Sequence, residues 1–312
     1  MPDSATLTLD GTPEALATPA SSPARRRRRR YGIFPFVALA PAVILVVGIM
    51  IYPIGQTVYH SLTSWDGQTS RFIGFHNFVT LWRDHLMRQV LGNSAIFLIS
   101  VPMIVIASLI AAVLVYEQVI GWRVFRILFF LPGILSPVVV GELVTTFVTP
   151  NGLANLPLRW LGLKPINWLG SPWPARFTIM GALVWTSFGF GMMILLSAMT
   201  TIDHALYDAA LIDGAGWFRR LRSVTIPMIS EQLQFLSVIN VVYTFTALFG
   251  FVYVITTGGP GFSTTTIDYY TYTTTFENGD FGYGAALAVV LFVIVLALTV
   301  VQFKLLPRHE VQ

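Results

Sequence analysis

Residues 89–116 read QVLGNSAIFLISVPMIVIASLIAAVLVY and contain no Asp, Glu, Lys or Arg. A membrane-spanning helix needs about 20 consecutive, mostly apolar residues, and this stretch is longer. The same four charged residue types are also missing from residues 31–65, 177–202 and 232–267. Only 11% of the chain is charged, compared with about 25% in a typical soluble domain. No soluble core of this size needs several such runs, so we predict an all-α integral membrane protein.

The apolar runs indicate how many times the chain crosses the membrane. Their lengths and flanks predict about six transmembrane helices. The predicted spans cover residues 33–57, 91–115, 126–148, 177–199, 232–256 and 283–303. An even number of spans places both termini on the same side of the membrane.

Two terminal segments, residues 1–30 and 306–312, are predicted to flank one transmembrane domain over residues 31–305. The first is rich in Ser, Thr, Ala and Pro before the six arginines Arg25 to Arg30. It cannot bury enough apolar surface to fold, so we expect a disordered basic tail. The apolar run after it continues from Ile33 to Tyr52. This run exceeds the about 7–15 apolar residues of a signal peptide, so we expect an uncleaved first span.

The distribution of Lys and Arg predicts the orientation of the spans. Cytoplasmic segments carry an excess of these residues. With both termini in the cytoplasm, that side holds more than twice as many of them as the other. The cytoplasmic set is Arg25 to Arg30, Arg123, Arg126, Arg219, Arg220, Arg222, Lys304 and Arg308, and the opposite set is Arg71, Arg83, Arg88, Arg159, Lys164 and Arg176. We therefore expect the arginine run to anchor the topology near membrane lipid rather than to bind nucleic acid.

The predicted cytoplasmic loop between the fourth and fifth spans has an unusual pattern. Asp203 can cap a short helix that continues through Ala209 and Ala210. Gly214 then permits the left-handed turn that ends such a helix. In the stretch after the turn, Trp217, Leu221 and Val224 share one helical face. A helix, a glycine turn and a second helix could insert into a groove on another protein, although an ordinary connector resting on the membrane remains the alternative.

The same loop carries a family resemblance. It resembles the "EAA" loop of binding-protein-dependent ABC importer permeases, in which Glu-Ala-Ala, three residues, Gly and nine residues precede Ile-x-Leu-Pro. Here Asp208 replaces the Glu, Gly214 has the expected spacing, and Val224-Thr225-Ile226-Pro227 ends the pattern. The resemblance implies that residues 208–220 dock onto an ATPase subunit. The residues that it assigns to coupling are Asp208, Ala209, Ala210, Asp213, Gly214, Ala215, Trp217 and Pro227.

Two further motifs extend the resemblance over residues 33–305. Residues 72–78, FIGFHNF, resemble the "GxxNF" signature of carbohydrate-importer permeases, and residues 256–264, TTGGPGFST, resemble their "TxGGPxxxST" loop. The chain is similar to the MalF-type permeases of carbohydrate ABC importers. This similarity implies the type I (MetI/MalF-like) permease fold and a multi-pass location in the bacterial cell membrane.

The resemblance also implies an assembly and a mechanism. The sequence has no Gly-x-x-x-x-Gly-Lys-Ser/Thr phosphate-binding loop, and neither Lys164 nor Lys304 follows one. We therefore expect no cofactor on this chain, with ATP and Mg bound by a partner ATPase. The implied partners are a second, homologous permease, two ATPase subunits and an extracytoplasmic solute-binding protein. The implied action is inward transport of a sugar or a glycerol-phosphate-like solute by alternating access.

Four side chains within the predicted spans could contact a solute. Glu142 is the only ionisable residue well inside a span, where a charge costs about 2.5–3.5 kcal/mol, so it should face the bundle or water. Asn240 and Tyr243 share a helical face and, with Trp185, offer the amide, hydroxyl and flat surfaces that a sugar requires. Hydrogen bonding and packing between helices is the alternative for all four.

Other classes of protein fit the sequence less well. An ion-coupled secondary transporter of a polar solute is the main alternative, but no inverted repeat with broken helices is evident. The chain has no cysteine, so disulfides and thiolate metal sites are excluded. None of the five histidines has a metal-ligand spacing. We also expect the outer stretch Asp268–Thr275 to form an interfacial belt or to meet the binding protein.

Overall fold

The computed structural model describes residues 34–305. The predicted disordered tail over residues 1–30 and the predicted C-terminal tail over residues 306–312 lie outside the described residues. The chain divides into two units, one ending at Ile51 and one starting at Tyr52. In the first unit, helix α1 (Phe34–Val46) is followed by a π-helical turn (Val47–Ile51). Its large apolar side chains from Val37 to Ile51 are exposed, as suits contact with lipid.

The second unit is almost entirely helical, with one short antiparallel hairpin in which Thr63 pairs with Phe72. Its helices are α2 (Tyr52–His60), α3 (His76–Arg83), α4 (His85–Phe97), α5 (Ser100–Tyr116), α6 (Trp122–Phe130), α7 (Pro137–Phe147), α8 (Leu156–Trp160), α9 (Pro172–Met199), α10 (His204–Ile212), α11 (Trp217–Arg220), α12 (Ile226–Met228), α13 (Ser230–Ile255), α14 (Ile267–Tyr272) and α15 (Phe281–Leu305). The strands are β1 (Thr63–Trp65) and β2 (Ser70–Phe72); the 3₁₀ turns are Leu131–Ile134 and Leu153–Asn155; and the π turns are Leu221–Thr225 and Thr273–Glu277.

Five helical segments within residues 34–305 are long and apolar enough to cross a membrane, and a sixth candidate is a bent pair of helices. The five are Val37–His60, His85–Tyr116, Pro172–Met199, Ser230–Ile255 and Phe281–Lys304. The prediction of an all-α membrane protein with about six spans is confirmed. The three middle segments are 44–50% buried, whereas the last is only 17% buried. The middle segments therefore form the centre of the bundle.

The third predicted span, residues 126–148, is not one continuous helix. Residues Trp122–Ile134 and Pro137–Phe147 form two helical segments that meet at an angle of 106°. Pro137 lacks an amide hydrogen and keeps the residue before it out of the helical conformation. Accordingly, Ser136 is extended, and its hydroxyl accepts a hydrogen bond from the Val139 amide at 3.3 Å as an N-cap. The bend was not part of the prediction, because the hydrophobic run continues across the break.

Helix α9 packs closely against its neighbours through small residues. A Cβ atom on Gly189 would lie 2.0 Å from the Phe129 carbonyl oxygen, and one on Gly191 would lie 2.3 Å from Ser108 Oγ. The Ser108 hydroxyl donates to the Phe188 carbonyl oxygen at 3.0 Å. Close backbone approach through small residues is typical of helix packing in membranes. The buried core on both sides of this contact includes Leu183, Met192, Leu195, Leu236 and Phe251.

The two outer sequence motifs each close a loop through buried side chains. Asn77 Nδ2 donates to the carbonyl oxygens of Ser61 and Thr63, both at 2.9 Å, and so joins α3 to the hairpin. In the second motif, Thr264 Oγ1 donates to the Gly259 carbonyl oxygen at 2.7 Å, and Thr265 Oγ1 donates to that of Gly258 at 3.1 Å. Both motifs therefore stabilise the loops in which they lie.

Candidate functional site

Helix α10 begins and ends with specific capping interactions. The Asp203 carboxylate accepts a hydrogen bond from the Ala205 amide at 2.9 Å. At the other end, Gly214 has a φ of +70°, its amide donates to the Leu211 carbonyl oxygen at 3.0 Å, and the Ala215 amide donates to that of Ala210 at 2.9 Å. These two bonds around a left-handed glycine are a Schellman motif. The predicted cap and glycine turn are therefore present.

The surface of α10 is unusually open. In the part of the chain that the structure describes, no side chain of α10 is buried. Asp208, Ala209 and Asp213 are exposed, and Ile212 is 87% exposed. Of the residues assigned to coupling, only Ala215 is buried, at 7% exposure. Small and apolar side chains that face outward on a capped helix suit insertion into a groove of another protein.

The stretch after the turn differs from the single second helix that we predicted. It consists of α11, which has four residues, then the π turn Leu221–Thr225, and then the three-residue α12 with Pro227. Leu221 and Val224 pack against a buried cluster, as a shared face predicts, whereas Trp217 remains 45% exposed.

A cavity lies between this loop and the ends of three long helices. It has a volume of about 530 Å³ and is lined by residues of α5, α6, α9 and the loop itself, among them Tyr116, Glu117, Arg126, Thr200 and Trp217. Two hydrogen bonds border it. Tyr207 OH and Thr225 Oγ1 are 3.0 Å apart, and Trp217 Nε1 donates to Glu117 Oε1 at 3.2 Å.

A second cavity, of about 260 Å³, brings together two of the four predicted solute contacts. Asn240 and Tyr243 of α13 line it. Asn240 is 5% exposed, and its Nδ2 donates to the Leu236 carbonyl oxygen at 2.7 Å. Tyr243 is 39% exposed. The other lining residues are Phe130, Gly133, Thr186, Ser187, Phe190 and Ile239.

Sequence reasoning missed the contribution of α9 and of the helix break to this cavity. The Ser187 hydroxyl is buried and has no hydrogen-bond partner among residues 34–305. Gly133 lies in the 3₁₀ turn at the break, where a Cβ would lie 2.9 Å from the Thr186 carbonyl oxygen. The adjacent Pro132-Gly133 and Ser136-Pro137 pairs were the available signal for a break beside Asn240.

The other two predicted contacts lie elsewhere. Trp185 lines a separate apolar cavity of about 370 Å³ with Leu143, Phe147, Trp168 and Phe177. Glu142 is exposed on α7 and is the only charged residue of that helix. Because a charge within a membrane span is costly in lipid, we expect Glu142 to face water or another protein chain.

The tyrosine-rich outer stretch is packed into the protein. It forms α14 and the π turn Thr273–Glu277, in which Tyr269 and Thr274 are buried. Thr266 Oγ1 and the Tyr269 amide both donate to Asp268 Oδ1. Burial raises the pKa of the Asp268 carboxyl above its usual range. Among residues 34–305, no group of three His, Cys, Asp or Glu side chains could hold a metal ion.

The fold and these regions define a multi-pass transport subunit with a helix suited to docking on another chain. The chain belongs to the family of binding-protein-dependent transport system inner membrane components, whose model matches residues 77–310. It is 33% identical to the lactose transport system permease protein LacF of Rhizobium radiobacter over 283 residues, with 88% of this chain and 95% of the relative covered. It is 34% identical to the sn-glycerol-3-phosphate transport system permease protein UgpA of Escherichia coli over 274 residues, with 86% of this chain and 92% of the relative covered.

A solved structure shares the fold. A bacterial ABC transporter involved in the import of the acidic polysaccharide alginate matches with a TM-score of 0.76 at 24% identity, over 88% of this chain and 96% of that one. The predicted MetI/MalF-like permease fold is thus confirmed. The chain is a non-catalytic permease subunit of an ABC importer and a multi-pass protein of the cell membrane.

Proposed function

We propose that this subunit carries a carbohydrate or a glycerol-phosphate-like solute into the cell by alternating access, driven by ATP hydrolysis on separate ATPase subunits. The observation that carries the proposal is the exposed α10 with its Gly214 ending, in a chain whose relatives include lactose and glycerol-phosphate permeases. Family membership favours this function over an ion-coupled secondary transporter. ATP can drive the change only by favouring one conformation of the assembly over the other.

The coupling role falls on residues 208–220, with Pro227 ending the loop. Asp208, Ala209 and Ala210 lie on α10, Asp213 and Gly214 form its C-terminal ending, and Ala215 and Trp217 follow. Capping at both ends stabilises α10 although no tertiary contact buries it. It can therefore enter a groove on the ATPase as an already formed helix. ATP and Mg are bound by that ATPase subunit and not by this chain.

A second, homologous permease would complete the transport path. The cavity around Asn240 and Tyr243, about 260 Å³, is smaller than the about 300–1,000 Å³ of typical ligand pockets. The exposed Glu142 on α7 also requires a protein or aqueous neighbour. Both features suit a permease heterodimer with two ATPases and an extracytoplasmic binding protein.

We place the solute beside Asn240 and Tyr243. An amide, a phenol and the hydroxyl of Ser187 can exchange hydrogen bonds with a polyol, while Phe130 and Phe190 offer flat apolar faces. Trp185 and Glu142 lie outside this cavity, so we expect weaker effects from their substitution on solute affinity.

The experiment compares Gly214→Pro with Gly216→Pro in the assembled complex in liposomes. Proline requires a φ near −65° and has no amide hydrogen. Gly214 has a φ of +70° and donates its amide to Leu211, whereas Gly216 has a φ of −63°. We expect Gly214→Pro to abolish solute import that depends on ATP, and Gly216→Pro to retain most of it.

Lactose and glycerol 3-phosphate are the first solutes to test. Each is supplied together with an extracytoplasmic binding protein that binds that solute. Import by Gly214→Pro at the wild-type rate would refute coupling through α10. Import driven by an ion gradient without ATP would instead establish the secondary transporter.

A further inference from the structure

Helices α10 and α11 of the coupling loop bury little of their surface against the helical bundle. Among the described residues, neither α10 nor α11 contains a buried side chain. A cavity of about 530 Å³ separates them from the ends of α5 and α9. Apart from the chain connections to α9 and α13 and the packed side chains of Leu221 and Val224, the loop can pass a partner's motion to the bundle through the side chains that cross this cavity.

One of these contacts joins Trp217 to Glu117. The indole Nε1 donates to the Glu117 Oε1 at 3.2 Å. The two residues are 100 positions apart in sequence. Although Trp217 belongs to the loop proposed to dock on the ATPase, its polar atom is therefore directed into this chain rather than towards a partner.

The end of α5 is shaped to present Glu117. Glu117 is the C-cap residue, and Gln118 follows it with a φ of +50°. The Gln118 amide donates to the Val115 carbonyl oxygen at 3.2 Å, and the Val119 amide donates to that of Leu114 at 3.3 Å. This is the same kind of ending that Gly214 gives to α10, but here without glycine.

Tyr207 supplies the second contact. Its hydroxyl lies 3.0 Å from Thr225 Oγ1, and its ring centroid lies 6.4 Å from that of Tyr116, the last residue of α5. The loop therefore meets the C-terminal end of α5 twice, through the Trp217–Glu117 hydrogen bond and through the ring of Tyr207.

Helix α5 in turn reaches the middle of the bundle. Ser108 Oγ donates to the Phe188 carbonyl oxygen at 3.0 Å. Phe188 is adjacent to Ser187, which lines the cavity with Asn240 and Tyr243. A displacement of α5 along its axis would therefore move the α9 wall of that cavity.

We infer that Trp217 and Glu117 are positioning residues that make the coupling loop and α5 move as one body, so that ATPase motion reaches the α9 wall of the cavity. This inference rests on the proposed function. Demonstrating such a path requires measured coupling between the two residues, not proximity alone.

The test is a double-mutant cycle on the full complex in liposomes, with solute imported per ATP hydrolysed as the readout. Trp217→Phe removes the donor but keeps a ring, and Glu117→Ala removes the acceptor. We expect each to lower the ratio by about two- to tenfold, as suits the loss of one hydrogen bond. The double variant should be no worse than either single variant.

Two variants separate this role from a merely structural one. Glu117→Gln keeps a carbonyl oxygen that accepts from the indole, so it should restore the wild-type ratio. Trp160→Phe, at the 82% exposed tryptophan that ends α8, should leave the ratio unchanged. Co-purification of the ATPase with each variant shows that the complex has assembled.

The outcomes distinguish this inference from the proposed function. If Gly214→Pro abolishes import while Trp217→Phe and Glu117→Ala match wild type, or if their losses add in the double variant, the inference is wrong and the proposed function stands. If Gly214→Pro imports normally, the proposed function fails and the inference fails with it.

Discussion

Arg176 of α9 donates from Nη2 to Oδ1 of Asn93 on α4 at 2.9 Å, and the pair holds the outer loop after α13. Asn93 Nδ2 donates to the carbonyl oxygens of Phe262 at 2.8 Å and Thr265 at 3.0 Å. Arg176 Nε donates to that of Ser263 at 2.9 Å. Two side chains from different spans thus bind the backbone of one loop.

Replacing Asn93 with Ala should destabilise the protein. Asn93 is 2% exposed, and its loss removes the donor to the Phe262 and Thr265 carbonyl oxygens and the acceptor of Arg176 Nη2. We expect a loss of about 2–4 kcal/mol, measured as a lower unfolding temperature of the purified complex. Gln89→Ala is the control, since the exposed Gln89 makes a single bond to the Gly261 carbonyl oxygen at 3.1 Å. Equal effects of the two variants would contradict this account.

The stability contributed by Asp268 should decrease as the pH rises. Burial raises the pKa of its carboxyl in the folded state, and Oδ2 has no hydrogen-bond partner among residues 34–305. A raised folded-state pKa gives a contribution that is complete below the unfolded pKa and is lost at higher pH. The unfolding temperature of the wild type minus that of Asp268→Asn should therefore fall as the pH is raised above about 4, the usual pKa of an unfolded Asp. If the unfolding temperature of the wild type instead rises relative to that of Asp268→Asn as the pH increases, the raised pKa of Asp268 is contradicted.

Adding one methyl group to Gly189 should disrupt the contact between α6 and α9. The new Cβ would lie 2.0 Å from the Phe129 carbonyl oxygen, which is backbone and cannot move aside cheaply. Overpacking of this kind costs about 1–3 kcal/mol. Gly181→Ala in the same helix is the matched control, because nothing lies within 4 Å of its added Cβ. Gly189→Ala should lower the unfolding temperature and slow solute import, whereas Gly181→Ala should change neither.

Gln118→Gly should stabilise the end of α5. Gln118 has a φ of +50°, a conformation that disfavours any residue with a Cβ. Relief of this strain should exceed the entropy cost of glycine and add about 0.5–1 kcal/mol. Gln118→Ala keeps the Cβ and should give no such gain. If alanine raises the unfolding temperature as much as glycine does, backbone strain is not the cause.

The sequence predicted the membrane class and the α10 ending because both depend on local chemistry. A run without charges must avoid water wherever it lies, and a glycine such as Gly214 directly after a helix commonly ends it in a left-handed turn. Hydropathy alone missed the break at Ser136, because the hydrophobic run continues across it, although the Ser136-Pro137 pair signalled it.

Contacts between distant segments were beyond sequence reasoning. Asn240 and Tyr243 were found together because they lie three residues apart on one helix, but Ser187 and Phe130 joined them only through packing. Trp185 was grouped with them on chemistry alone, and it lies in a different cavity. The Trp217–Glu117 bond spans 100 residues and has no sequence signal.

The helix break beside the Asn240 cavity has a consequence for how specificity can evolve. Where a helix stops at Ile134 and restarts at Pro137, its terminal carbonyl and amide groups lack partners within the helix. Because these main-chain groups are present whatever the side chains are, mutation cannot easily remove them. Mutation can therefore exchange the side chains around the cavity, while the main chain of Gly133, which lines it, keeps the same polar groups.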